Sequence, residues 1–121
     1  MTTAGNKSRE LVQQVLQSQW REIGASVLIR NEPARVFFGD TMAHRLNLGL
    51  SMYAWLSAPE SLPRTTLRSD NIPTSDNGWS GQNYPGYSNK RMDDLIDSLE
   101  LELDLEKRLT LWAQLLSLIH I

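Results

Sequence analysis

The sequence predicts an α/β chain ordered helix–strand–helix–strand, then a long ordered loop, then two C-terminal helices. Three observations predict it. Between residues 46 and 59, Leu48, Leu50, Met52 and Ala54 alternate with Gly49, Ser51, Tyr53 and Trp55, the period of two of a strand with unlike faces. Upstream, apolar residues at helical spacing run directly into a second alternating stretch. Downstream, two further helical stripes follow one another almost without a linker.

The first helix is expected from Ser8 to Ile23, with Val12, Val15, Leu16, Trp20 and Ile23 inward and Gln13, Gln14, Gln17 and Arg21 outward. Asn6 or Ser8 can cap its start, and Gly24 suits the left-handed residue that ends a helix. Ala25, Val27 and Ile29 then alternate with Ser26, Leu28 and Arg30 as a short strand. Pro33 suits the first position of a second helix, running to about Arg45 with Val36, Phe37 and Met42 buried. The strand carrying Tyr53 and Trp55 comes next, and Ser57, Ala58 and Pro59 end it because proline cannot donate to a ladder. Strand, helix and strand in this order make a crossover unit, which favours two parallel neighbours. Val27 and Met52 should therefore share a sheet.

From Leu56 to Asn89 neither period persists. Pro59, Pro63, Pro73 and Pro85 punctuate the segment, yet Leu62, Leu67, Ile72, Trp79, Tyr84 and Tyr87 make it too apolar for a solvated linker. It reads as an ordered segment packed across another surface. Ser88-Asn89 then caps a helix with Met92, Leu95, Ile96, Leu99 and Leu103 on one side. Asp104 caps a second, with the stripe Leu105, Leu109, Trp112, Leu115 and Leu116. The two should fold back on each other or on the sheet.

Composition narrows the function. The chain has 121 residues, a net charge of −2 and no cysteine. That length allows at most one domain, burying roughly two-thirds of its unfolded surface. The charge gives no electrostatic case for nucleic acid, and the arginines are scattered. Disulfides and thiolate metal sites are excluded. No stretch approaches the roughly 18 apolar residues of a membrane span, and MTTAGNKSRE lacks the apolar core of a secretory signal.

Enzyme chemistry has thin support. Asp40 and His44, four apart on a helix, can be written as a base and its orienter, but exposed pairs of this kind are ordinary solvated neighbours. There is no phosphate loop and no nucleophile elbow. Asp93, Asp94 and Asp97 suit a helix start better than an oxygen cage, which needs a shaped loop and more ligands. Neither a cofactor nor a catalytic residue is expected.

Binding is better supported. Tyr53, Trp55, Trp79, Asn83, Tyr84 and Tyr87 supply flat amphipathic surfaces and hydrogen-bonding groups in one strand end and its loop. Arg64 and Arg68 can meet a carboxylate.

Taken in order, the runs GNKSRELVQQVLQSQWREIGASVLIRNEP, ARVFFGDTMAHRLNLGLSMYAW and NYPGYSNKRMDDLID resemble the C-terminal lobe of family 5 extracellular solute-binding proteins. The resemblance covers about residues 5 to 116. It rests on Ile23-Gly24 before a strand, Phe37-Phe38 before a strand ending in Trp55, and Tyr87–Asn89 before an Asp-containing helix. It implies part of a lobe of the type II periplasmic-binding-protein fold, a single partial domain. In the parent, a peptide-like solute would be held between two lobes and presented to an ABC permease, outside the cytoplasm and membrane-associated, without catalysis.

The resemblance makes Trp55 a cleft-lining residue. Relatives commonly carry an aspartate shortly after it to meet a peptide's α-amino group; here the position is near Ala58, and Glu60 is the close carboxylate, so either Glu60 takes over or the ligand is not an ordinary free-amine peptide. The expected ligand-binding set is Tyr53, Trp55, Glu60, Trp79, Asn83 and Tyr84. The ending SLIHI, Ser117 to Ile121, departs from the family and reads as a truncated or non-native tail. The competing function is a small helical protein–protein interaction module built on Lys90 to Leu118.

Overall fold

Asn6 starts the first helix, α1 (Lys7–Glu22), by accepting a hydrogen bond from the Arg9 backbone N–H at 3.1 Å. Gly24, at φ +82°, follows its C-terminal end. The computed structural model describes residues 1–47, 49–58 and 61–120. Leu48, Pro59, Glu60 and Ile121 lie outside the described residues, and with them the expected strand-ending proline and the Glu60 carboxylate. The chain divides into two compact units, Met1–Leu56 and Ser57–Ile121.

In the first unit α1 is turned differently from the expected helix. Gln13 is the buried residue, whereas Val12, Val15 and Ile23 are exposed. A buried amide needs partners. Asn31 supplies them: Gln13 Nε2 donates to Asn31 Oδ1 at 3.0 Å, and Asn31 Nδ2 returns a bond to Gln13 Oε1 at 2.9 Å. Gln17, also expected outward, donates to the Val27 carbonyl at 2.7 Å. Polar complementarity between α1 and the segment after it sets the helix face here.

The expected helix–strand–helix–strand lobe is not what forms. Among the described residues the chain is 53% helical with 3% strand and no sheet. Val27 and Met52 share no sheet, and among the described residues the pairing is limited to two isolated parallel bridges, Thr2 with Met52 and Thr3 with Glu32. The physical reason is the partner. A period of two fixes faces, but a strand exists only where a neighbour supplies ladder bonds. Here both extended segments bridge to Met1–Ala4, too short to make a ladder with either. Ala4 N–H donates to the Glu32 carbonyl at 2.7 Å, and Met52 N–H to the Met1 carbonyl at 2.9 Å. Leu28 and Leu50, expected to pack in strands, are exposed.

The second helix of this unit begins just after Pro33, whose carbonyl accepts the Phe37 N–H at 2.9 Å. It starts as α2 (Ala34–Val36) and widens into a π-helical turn, Phe37–Met42. Phe37, Thr41 and Met42 are buried, while Val36 is exposed. The Thr41 hydroxyl donates to Glu32 at 2.6 Å, and Arg30 pairs with the same carboxylate at 2.9 Å, so the buried Glu32 is satisfied twice. Arg45, at φ +54°, turns the chain out of the helix.

In the second unit a short helix, α3 (Arg64–Leu67), and two 3-10 turns, Ser69–Asn71 and Ser75–Asn77, lead to α4 (Lys90–Leu101) and α5 (Leu105–Ile119). Asn89 caps α4 by accepting from Arg91 N and Met92 N, and Asp104 caps α5 by accepting from Lys107 N at 3.0 Å. The core is Met92, Leu95, Ile96 and Leu99 of α4 against Leu115 of α5, with Leu62, Leu67 and Tyr87 of the preceding segment packed on it. Leu103 falls between the helices and is exposed. The α5 stripe is also rotated from the expected one: Leu111, Trp112, Leu115 and Leu118 face the core, while Leu105, Leu109 and Leu116 face out.

Candidate ligand-binding site

Tyr53 and Trp55 stand two residues apart on an extended segment and so on one side of it. Their ring centroids are 5.7 Å apart, edge to face. The helix opposite contributes two more rings. Phe37 is fully buried and lies 6.0 Å from Tyr53, while Phe38 lies 5.9 Å from Tyr53 and 5.8 Å from Trp55. Phe37 and Phe38 meet each other edge to face at 4.9 Å. Such pairs add about 0.5–1.5 kcal/mol each beyond their buried area. The cluster therefore runs from a buried ring, Phe37, to an indole that remains 39% exposed, Trp55. Chemically it is a wall of edge-to-face aromatic rings, suited to packing an apolar side chain or holding a cation over a ring face.

Phe38 is the residue the sequence reading missed. The signal was present: neighbouring helical residues diverge by about 100°, so two consecutive phenylalanines cannot share one core direction.

The other expected site residues belong to the second unit. Asn83 is fully buried and its amide is engaged by the chain itself. Nδ2 donates to the Arg68 carbonyl at 3.1 Å and the Tyr87 carbonyl at 2.7 Å, and Oδ1 accepts from Tyr87 N–H at 3.0 Å. It ties the loop together. Trp79, 39% exposed, follows Gly78, and both have left-handed backbones at φ +61° and +65°. A left-handed tryptophan is uncommon. Its N–H donates to the Thr74 carbonyl at 2.8 Å, closing the turn. Tyr84 is half-buried, and burial pushes its hydroxyl above the ordinary phenol pKa.

Gly81 makes this loop possible. A Cβ there would stand 2.1 Å from the Asn71 carbonyl oxygen, and its φ is +115°.

Arg64 and Arg68, considered as ligand contacts, meet carboxylates of the same unit. Arg68 grips Asp97 through Nε and Nη2, both at 3.0 Å, and also pairs with Asp70. Arg64 Nη1 holds Glu100 at 2.9 and 3.0 Å and Asp97 at 3.3 Å. Asp93 accepts from the Ser69 N–H at 2.9 Å and from the Ser69 hydroxyl. In the first unit, His44 Nδ1 lies 3.0 Å from the Asp40 backbone carbonyl oxygen. Among the described residues no helix is long and apolar enough to cross a membrane.

No protein-family model matches the chain, and no curated protein matches it. A solved structure does match, and it defines the class first: it is a peptide-binding protein of the family 5 extracellular solute-binding type. In particular it is an oligopeptide-binding protein from Thermus thermophilus, complexed with pentapeptide. The chain is 32% identical to it with a TM-score of 0.83, over 94% of this chain and 21% of that one. The family resemblance carried by the quoted runs therefore holds, and this chain spans about a fifth of the relative's length.

Proposed function

We propose that this chain is part of the solute-binding component of an ABC importer that takes oligopeptide-like ligands. One observation carries the reading: 94% of the chain matches, at 32% identity, a protein solved with a pentapeptide. The aromatic wall supports it. In this reading Phe38, Tyr53 and Trp55 stack against ligand side chains, and Trp79 and Tyr84 are the further ligand contacts expected from the sequence. Glu60 receives the α-amino group, a cation that a carboxylate recognises. Asn83 acts indirectly by holding that loop in place.

The parent would work outside the cytoplasm, in the periplasm or at the cell surface, and hand its ligand to a membrane permease. It would do no chemistry on the ligand. The test is a chimaera in which this chain replaces its matched stretch in the Thermus protein. Titrated with peptides, sugars and metal ions under tryptophan fluorescence, it should respond to peptides. A folded chimaera that answers only to another solute class would overturn the peptide reading.

The rival reading, a helical interaction module, has the outward leucines Leu105, Leu109 and Leu116 of α5 on its side. A chain that stays monomeric and captures no amphipathic helix at high concentration would dismiss it.

A further inference from the structure

Of the chain's asparagines, Asn77 alone precedes a glycine. Glycine has no side chain to shield its nitrogen and its backbone turns freely, so that nitrogen can reach the amide carbon of the residue before it. Asn77 ends the 3-10 turn Ser75–Asn77, Gly78 follows it, and both are exposed to solvent.

The same amide latches the loop. Asn77 Oδ1 accepts from the Thr74 N–H at 2.9 Å and from the Ser80 N–H at 3.2 Å, and Nδ2 donates to the Ile72 carbonyl at 2.9 Å. One side chain thus joins the stretch before the turn to the stretch after it. Between them Gly78 and Trp79 keep their left-handed backbones. The attacking nitrogen is held as well, since the Gly78 N–H donates to the Ser75 carbonyl at 3.2 Å. Both reacting groups are therefore open to water yet fixed by the fold.

We propose that Asn77 is a modification site, deamidated by water when this turn opens, and that the acid formed cannot rebuild the latch. Hydroxide takes the Gly78 amide proton, and the nitrogen attacks Asn77 Cγ to form a new C–N bond. The intermediate expels Nδ2 as ammonia and leaves a cyclic imide. Water then opens the imide at either carbonyl, giving aspartate, or isoaspartate with the chain rerouted through the side-chain carbon. The sum is amide and water converted to carboxylate and ammonium. An ionised carboxylate only accepts hydrogen bonds, so its oxygens still suit the Thr74 and Ser80 N–H groups but oppose the Ile72 carbonyl. Isoaspartate also lengthens the backbone where Gly78 and Trp79 turn. The site is independent of the ligand reading above.

The test holds the chain at mildly alkaline pH, native and in urea, and follows it by peptide mapping with isoaspartate detection. Asn77 should convert ahead of every other asparagine in both states. In the native chain it should do so at least about tenfold more slowly, the scale of one net hydrogen bond. Conversion led by another asparagine, or equal rates in the two states, would overturn the proposal. Asn77→Asp tests the product separately. At neutral pH it should unfold at a lower urea concentration than the unaltered chain. The gap should narrow below about pH 4, where the protonated acid regains a donor for the Ile72 carbonyl. A gap of one size at both pH values, or none at either, would overturn the latch.

Discussion

Arg68 and Asp97 face each other fork to fork: Nε and Nη2 of the guanidinium each lie 3.0 Å from a different oxygen of the carboxylate. The pair fastens the segment before α4 to the flank of that helix. Lysine keeps the charge but cannot make two parallel bonds. Arg68→Lys should therefore lower the thermal midpoint by a few degrees, and Arg68→Lys with Asp97→Asn should add little more. A double-mutant cycle in thermal unfolding checks this; additive losses would mean that the two groups act separately.

The same pair sets an acid limb. The Arg68 hydrogen bond, opposed by desolvation and aided by the Arg68 and Arg64 charges, holds the Asp97 carboxyl below its ordinary value of 3.8. A carboxyl with a lowered folded pKa adds stability above its unfolded pKa and loses it as pH falls through the folded value. Stability should thus decline below about pH 4. Asp97→Asn should flatten that part of a chemical-denaturation series against pH, while an unchanged slope would assign the acid limb to other carboxyls.

Asn83→Ala should be among the most damaging single changes in the second unit. It strips partners from two carbonyls and one N–H beside a fully buried side chain. With each net bond worth about 1 kcal/mol, a loss of about 2–3 kcal/mol is expected in urea unfolding. A loss below about 1 kcal/mol would mean that water replaces the amide readily.

Tyr87 offers the opposite sign. Its ring packs on the α4–α5 core, and its hydroxyl oxygen is buried with no hydrogen-bond partner among the described residues. Removing an unsatisfied buried hydroxyl relieves its desolvation cost. Tyr87→Phe should be neutral or stabilising by up to about 1 kcal/mol in the same measurement. Clear destabilisation would reveal a partner for that oxygen.

Much of the helical part was legible because its determinants are local. Asn6, Asn89 and Asp104 each bond an N–H within three residues of themselves, and Gly24 takes its left-handed turn shortly after its helix. The strands were not legible, since an alternating pattern names a face and no partner. Nothing in the tetrapeptide Met1–Ala4 announces that Glu32 and Met52 will bridge to it. Gln13 looked outward because its complement, Asn31, is 18 positions away. The α5 stripe was misplaced because leucines at 105, 109, 111, 115, 116 and 118 surround the helix, so spacing alone allows more than one inner face. In the candidate site, the pairing of Tyr53 with Trp55 followed from their spacing. Asn83 looked like a ligand contact because polarity in a loop does not reveal which carbonyls lie within reach.

The central claim is that Trp55 forms the exposed end of an aromatic wall that meets a peptide. The most direct measurement is pentapeptide affinity in the Thermus chimaera with and without Trp55→Ala, each checked for an unchanged fold by circular dichroism. An anchoring indole is worth about 1–2 kcal/mol or more, so the variant should bind at least about tenfold more weakly. Equal affinity in two folded proteins would contradict the account.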